Sequence, residues 1–455
     1  MRRLLLLPSL LVLALSLGSV ACTGGSSNSG ASPSPAETTA APTTTPPPAV
    51  TETASPAPTT PGVGEPLTWT ITRPQPMPAD TVLIVEKGCY QCDGPPAALE
   101  RVSTIGGGTP KARTLFQAKT PGTYITSLYV APGGHDIWLF VCTTGDCGPL
   151  GPASADAQQT LHHSDDGGIT WSEIAVFGAD TGIVSVVSGL PILSRSGTDA
   201  SGKPSAVYFS LQGGRVITTP AGAFPVYQSG GSDMLWQTAE NTKLLKTDGS
   251  TVFESDRPFL IAGTPHPDAS TVVIFWRDAT PPFGVIEHSL IHGGKVVQTI
   301  AGGGPEFFLS VGGWLDGTRA VGRVGMMPTD VPGATGPQRS FSIPSLIDFE
   351  KGSVTPIELY GTLFTDAYFG RNAIRAIDRG DAASGFSTPY LVAADGDCLN
   401  VREKPSTSAG VLRCFADDVI LWAKAGESTA DGVTWIEVLG PDGTKGFASK
   451  QFLSR

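Results

Sequence analysis

Positive charge is scarce in this chain. Only 30 lysines and arginines stand against 41 aspartates and glutamates, a formal balance of −11 over 455 residues. A nucleic-acid binder carries a basic footprint, so that partner class is excluded. Contact with an anionic polymer would have to come from local geometry rather than net attraction. Sustained helical periodicity is missing too, which argues against a helical core. No glycine-rich loop followed by Lys-Ser or Lys-Thr is present to cradle phosphate. No Gly-x-Ser-x-Gly sits in a strand–turn–helix context. Histidines are few, and His135, His266, His288 and His292 are scattered. His162 and His163 are adjacent, and neighbours on a strand point to opposite faces. With no third ligand in view, neither a metal nor another cofactor is expected.

The N-terminus is distinctive. Met1-Arg2-Arg3 precedes an apolar run from Leu4 to Leu17, then Ser19-Val20-Ala21-Cys22. The run is shorter than the roughly 20 residues that span a bilayer. A basic start, a short apolar core and small residues before a cut read as a secretory signal over residues 1–21. The cut site resembles the lipobox of bacterial lipoproteins, although Ser19 stands where that family usually has leucine. The resemblance implies a diacylglyceryl group on Cys22, which becomes the first mature residue and ties the protein to the cell membrane from outside. Losing Arg2 and Arg3 with the signal takes the charge from −11 to −13. Residues 22–66 are almost wholly Ser, Thr, Pro, Ala and Gly. Such a segment has too little apolar surface to offset the entropy of ordering. It reads as an extended tether.

The remainder is rich in turn formers. Glycine (56) and proline (39) are abundant and charge is low, the usage of an all-β chain. Short β-branched and aromatic runs recur between turn clusters. Examples are Thr81-Val82-Leu83-Ile84-Val85, Asp136-Ile137-Trp138-Leu139-Phe140-Val141 and Thr271-Val272-Val273-Ile274-Phe275-Trp276. Turn-then-strand spacing of tens of residues suggests radial repetition.

Ser164-Asp165-Asp166-Gly167-Gly168-Ile169-Thr170-Trp171 fits Ser-x-Asp-x-Gly-x-Thr-Trp at every fixed position. It resembles the Asp-box of sialidase-like β-propellers. Asp166 is suited to accept bonds from turn amides. Gly167 and Gly168 tolerate positive φ. Ser164 and Thr170 can bond across the turn, and Trp171 supplies an apolar plug. The box reads as a structural brace. Lys246 to Phe253 looks like a degraded copy. At roughly 40 to 50 residues per blade, residues 67–385 hold six or seven blades, with seven preferred. Leu67 to Ile71 and Ala373 to Ile377 are the expected closing strands of one shared blade.

A second resemblance covers residues 390–455. Asp397-Cys398-Leu399-Asn400-Val401-Arg402, a Pro405-Ser406 loop, Trp435-Ile436-Glu437-Val438 and Gly446-Phe447-Ala448 follow in the order of a bacterial SH3 (SH3b) domain. Lys404, Phe447 and Ala448 depart from the commoner residues there. The resemblance implies a small SH3-like barrel that engages wall peptide or glycan, or braces the propeller. Its core is small, and a Cys398–Cys414 bridge is expected to staple it.

Cys89, Cys92, Cys142 and Cys147 remain. Export favours disulfides, paired locally or across. A zinc site from all four is the sharper alternative. Redox work at Cys89-Tyr90-Gln91-Cys92 wants a helix N-terminus, and Asp93-Gly94-Pro95-Pro96 follows instead. No catalytic residue emerges. The sialidase Arg-Ile-Pro signature is absent, and Glu240, Glu254, Glu287, Glu306 and Glu358 cannot be placed relative to one another from sequence. The expectation is therefore a non-catalytic, lipid-anchored binding protein outside the bacterial membrane. Its partners are cell-wall peptide or glycan, or a protein. A sialidase-like glycoside hydrolase and a membrane-complex assembly factor are the alternatives.

Overall fold

The computed structural model describes residues 67–455 apart from 88–95, 121–122, 132–133, 148–152, 199–203, 221, 227–232, 267–269, 277–286, 302–306, 327–340, 360–361, 364–373 and 377–384. Residues 1–66, with Cys22, and Cys89, Cys92 and Glu306 lie outside the described residues.

Six antiparallel sheets follow one another along the chain and form a six-bladed β-propeller; a seventh sheet follows them. Blade 1 holds Val82–Lys87, Ala98–Ser103 and Lys111–Gln117, and blade 2 holds Ile125–Val130, Ile137–Thr144, Gln158–Ser164 and Ser172–Gly178. Blade 3 comprises Thr181–Val187, Leu190–Thr198 and Pro204–Ser210. Blade 4 comprises Ala223–Pro225, Leu235–Thr238, Lys243–Lys246 and Thr251–Glu254. Blade 5 is built from Phe259–Ile261, Thr271–Trp276, Glu287–His292 and Lys295–Ala301, and blade 6 from Phe307–Trp314, Arg319–Met326, Phe341–Asp348 and Ser353–Leu359. The preferred count of seven is thus corrected to six. Blades begin at Val82, Ile125, Thr181, Ala223, Phe259 and Phe307, so no single period counts them. The first segment, counted as blade sequence, serves elsewhere.

Burial follows position within a blade. Ile137–Thr144 is an inner strand flanked by neighbouring blades, and its first six residues are all buried. Ser172–Gly178 is an outer strand and alternates between half-buried and exposed positions along its second half. The first strands of blades 5 and 6 touch directly. Gly263 and Val311 form a parallel bridge, with Val311 N–H donating to Ala262 O at 2.8 Å and Thr264 N–H to Val311 O at 2.9 Å.

The wheel closes in two places rather than one. Ile374–Ala376 pairs antiparallel with Val82–Lys87 and joins blade 1. The other expected closing strand goes to different blades. Leu67–Thr68 lies parallel on the outer strand of blade 5 and Thr70–Ile71 parallel on that of blade 6. Between them Trp69 is buried, 6% exposed, within a core shared by both blades. Its ring meets His288 edge-on at 5.7 Å and Phe349 at 6.0 Å. The N-terminal segment is therefore a strap across two outer edges. Pairing such an edge removes its open row of backbone donors and acceptors.

Burial beneath the strap disfavours the charged form of His288 and pushes its pKa down to about 3. A histidine kept neutral in the folded state contributes stability above its unfolded pKa of about 6.5, and that contribution is lost as pH falls toward 3. The expected NMR result is a His288 imidazole that does not titrate between pH 8 and 5. A midpoint near 6.5 would contradict it.

The seventh sheet runs from Phe386 to Ser454. Its order is Val411–Ala416, Cys398–Arg402, Lys445–Ser449, Val433–Leu439, Ile420–Ala430, Phe386–Val392, Leu453–Ser454. Val392, Leu399, Val401, Phe415, Leu421, Ile436, Val438 and Ala448 form its core. Cys398 and Cys414 on adjacent strands are disulfide-bonded, with Cα atoms 5.4 Å apart.

Candidate functional site at the hairpin and sheet junction

The loop singled out in the sequence joins the last two strands of blade 2. Asp166 Oδ1 accepts the Ile169 and Thr170 backbone N–H groups at 2.9 Å each, and Oδ2 accepts the Thr170 hydroxyl at 2.6 Å. Ser164 Oγ donates to Asp166 Oδ1 at 2.8 Å and accepts the Gly168 N–H at 2.8 Å. Partial burial works against the Asp166 charge. Bonds from Thr170, Ser164 and Ile169 outweigh it and hold the carboxyl below the ordinary carboxylate range. Gly168, at φ +85°, has no room for a side chain: a Cβ would stand 2.7 Å from Leu115 Cβ. The loop is also tied outward. Trp171 Nε1–H donates to Leu115 O at 2.7 Å, and Gly167 N–H to His135 O at 2.8 Å.

Asp166→Ala leaves those donors without their acceptor and is expected to destabilise the protein by about 2 kcal/mol, since hydrogen bonds to charged groups contribute about 1.5–3 kcal/mol each and are partly replaced by water. Urea unfolding measures it; an unchanged midpoint would show that the loop holds its shape without the carboxylate.

Lys246 to Phe253 forms a plainer turn. Asp248 Oδ1 accepts the Ser250 N–H at 2.8 Å. Phe253 is buried against Phe259, ring centroids 5.3 Å apart.

The hairpin faces the seventh sheet, and Ile169 packs against that sheet's core. Around it lies a charged cluster that sequence reasoning missed. Arg101, nearly buried in blade 1, donates to Asp418 O at 2.5 Å. Arg113, on the next strand, pairs with the Asp418 carboxylate. Burial lowers the Arg101 pKa to about 10; Asp418 opposes that fall and Arg113 adds to it. Asp418 sits at φ +64° in the turn before Ile420–Ala430. Arg455 donates to Asp80 Oδ2 at 2.7 Å. No local pattern marks these residues, because each partner lies hundreds of positions away.

The histidine pair separates as adjacent strand residues must. His162 meets Phe116 edge-on at 5.0 Å. His163 stacks on Trp138 at 3.7 Å and pairs with Asp136 at 2.7 Å. His135 lies beside Asp136 and Asp165 of blade 2 and Asp442 and Arg413 of the seventh sheet; burial is the main influence and lowers its pKa. Among the described residues, no group of three or more His, Cys, Asp or Glu side chains is placed to hold a metal ion. Cys142 and Cys147 are bonded to each other, with Cα atoms 6.0 Å apart.

The described candidate glutamates are spread over blades 4, 5 and 6. Glu254 of blade 4 pairs with Lys243 at 2.8 Å, and Glu287 of blade 5 with Arg257 at 3.1 Å. Glu240 follows the second strand of blade 4, and Glu358 lies in the last strand of blade 6. None of these four is on the first strand of a blade.

No protein-family model matches the chain, and no curated protein does. Solved structures do match. TolB from Acinetobacter baumannii is 11% identical over 66% of this chain and 68% of its own, with a TM-score of 0.41. A prolyl endopeptidase is 12% identical over 82% of this chain and 49% of its own, at 0.32. Puromycin hydrolase is 12% identical over 80% and 49%, at 0.33. The chain thus spans about half the length of the latter two.

Proposed function

We propose that this is a non-catalytic binding protein of a bacterial envelope, exported and held to the membrane by a lipid on Cys22. It presents a β-propeller and an SH3b-like barrel to cell-wall peptide or glycan, or to a protein partner. The N-terminal signal and its small residues before Cys22 support export. So do the Cys142–Cys147 and Cys398–Cys414 bonds, since disulfides persist in oxidising compartments. Residues 22–66 act as the tether.

The observation that carries the binding reading is the dispersal of the carboxylates. Glycoside hydrolysis generally needs two carboxyl groups about 5–9.5 Å apart across one bond. Glu240, Glu254, Glu287 and Glu358 are spread over three blades, and two of them are held by a lysine or an arginine. The charges at the junction are likewise spent on joining the seventh sheet to the wheel.

Sedimentation of the intact protein with isolated peptidoglycan tests the reading, alongside a panel of fluorogenic glycosides. Co-sedimentation without turnover is the expected result. Turnover abolished by one Glu→Gln change would replace it with the hydrolase. No sedimentation, with a protein co-purifying from membranes, would replace the wall by a protein partner.

A further inference from the structure

We propose that the outer edge of blade 3 is a strand-addition site for an extended, acidic segment of a partner protein. The site goes beyond the wall-binding reading: it shares no residue with the seventh sheet and stands whether or not that sheet engages the wall.

Among the described residues, blade 3 is the one blade short of a strand. Blades 2, 4, 5 and 6 each have four strands of their own, and blade 1 gains its fourth from Ile374–Ala376. Blade 3 stops at Pro204–Ser210. The chain does turn back toward a fourth strand. Ser210 N–H donates to Arg215 O at 2.9 Å, Ile217 N–H donates to Tyr208 O at 2.8 Å, and Phe209 and Val216 form a single bridge. Residues 211–220 contribute no strand beyond that bridge. Pro220 has no N–H to donate, and the chain turns there, with Ala223 N–H donating to Pro220 O at 3.1 Å. The backbone groups of Tyr208 and Ser210 that make these bonds face outward. By the two-residue period of a strand, those of Ala206 do too, and Ala206 and Val207 are exposed.

Open edges are ordinarily blunted by a bulge, a charge or a covering segment, and the other blades follow that rule. A register shift interrupts the pairing of the outermost strand in blades 1, 2, 4 and 5. Lys111, Arg113, Glu173 and Glu254 put charge on the outer strands of blades 1, 2 and 4. The strap covers blades 5 and 6. Blade 3 has none of these protections. Its last two strands pair from Ile192 and Ser210 to Thr198 and Pro204 without a shift, and residues 205–210 include no charge.

The surface beside this edge selects the occupant. Val216 lies opposite Phe209, and Val207 is two residues from Phe209 on the same strand, so Val207 and Val216 share a face. They are 49% and 62% exposed and form an apolar strip. Arg195, opposite Val207 on the neighbouring strand, stands on that face too, with its guanidinium over the Phe209 ring at 5.4 Å. It reaches Asp180 only at 4.0 Å. Arg215, at the other end of the strip, is exposed. Residues 181–220 carry three bases against one acid, in a chain whose formal charge is −11. The fitting segment therefore has apolar residues set between Asp or Glu. In strand addition, backbone bonds supply affinity and alternate side chains supply specificity. The strap shows how short such a ladder can be, since it lies on blades 5 and 6 through two-residue ladders and one buried side chain.

The test pans a phage-displayed library of random twelve-residue peptides on the full chain. Enrichment of net-acidic peptides with apolar residues between the acids is expected. A synthetic copy of the strongest is then titrated by fluorescence anisotropy. Ala206→Pro removes an N–H that the blade does not use, a change that edge strands tolerate. It is expected to weaken the peptide about 10-fold, the loss of one backbone bond. Arg215→Glu is expected to weaken it by about the same factor at low salt and by less at 1 M NaCl, where screening already reduces the ionic part. If Ala206→Pro does not fold, Val207→Glu at its exposed position decides, with a loss of about 10-fold expected from the repelled acid and the broken apolar strip. Absence of enrichment, enrichment of neutral or basic peptides, or a peptide bound equally well by these variants would overturn the proposal. So would gel filtration showing a dimer of the full chain that Ala206→Pro turns into a monomer, because the edge would then belong to a second copy.

Discussion

Replacing Trp69 by alanine is expected to lower the unfolding free energy by about 3–5 kcal/mol, the range for large-to-small changes of a buried aromatic. Trp69 is the only side chain of the strap residues 67–71 that is buried, and it lies in one cluster with Ile300 of blade 5 and Val354 of blade 6. The strap's four paired residues, Leu67, Thr68, Thr70 and Ile71, make two-residue parallel ladders, which are weak without a wedge between them. The loss is therefore expected to be local before it is global. Hydrogen exchange should quicken first in Lys295–Ala301 and Ser353–Leu359, the two edges that the strap covers. Uniform quickening across all six blades, or a loss below 1 kcal/mol in urea titration, would show that the strap only lies on the wheel.

Gly263→Ala is expected to be at least as damaging, above about 4 kcal/mol, because two independent penalties fall on one atom. Gly263 holds φ +103°, a conformation that L side chains rarely adopt, and a Cβ there would lie 2.6 Å from Val311 N and closer to Val311 O. Neither neighbour can give. Both are backbone atoms of the adjacent blade, and Val311 N–H is already bonded to Ala262 O. The substitution thus forces apart two first strands where blades 5 and 6 meet. The expected outcome is a soluble yield too low to purify, or a protein melting well below the wild type. A normal melting temperature would mean that blades 5 and 6 are free to separate at this bridge.

Much of the fold is legible in the residues because it is local. Thr81 to Val85, Asp136 to Val141 and Thr271 to Trp276 read as strands, and Val82–Lys87, Ile137–Thr144 and Thr271–Trp276 are strands. Their β-branched and aromatic residues suit a pleated surface buried on both sides. Turn chemistry was legible for the same reason: Asp166 and Gly168 meet hydrogen-bond partners within four positions. The Cys398–Cys414 bond, expected as a staple for the small barrel that the SH3b resemblance implies, joins neighbouring strands of one small sheet. The blade count was not legible. Six irregularly spaced starts and a strap of strand-like sequence do not announce how many strands each sheet takes.

The junction was invisible for a stricter reason. Arg113 and Asp418 are 305 positions apart, and Arg455 and Asp80 are 375 apart. Each alone reads as an ordinary surface charge. Trp422 alone reads as a core residue of its own sheet, and only the structure turns it toward the blades. The sequence by itself determined an all-β chain, its turns and its hairpin of Ser164 to Trp171, because each depends on residues close enough to constrain one another's backbone. Tertiary structure alone decided that there are six blades, that the N-terminal strap lies on blades 5 and 6 while the C-terminal sheet packs on blades 1 and 2, and which charges meet. Those outcomes depend on how sheets stack, and stacking brings together surfaces that share no stretch of chain.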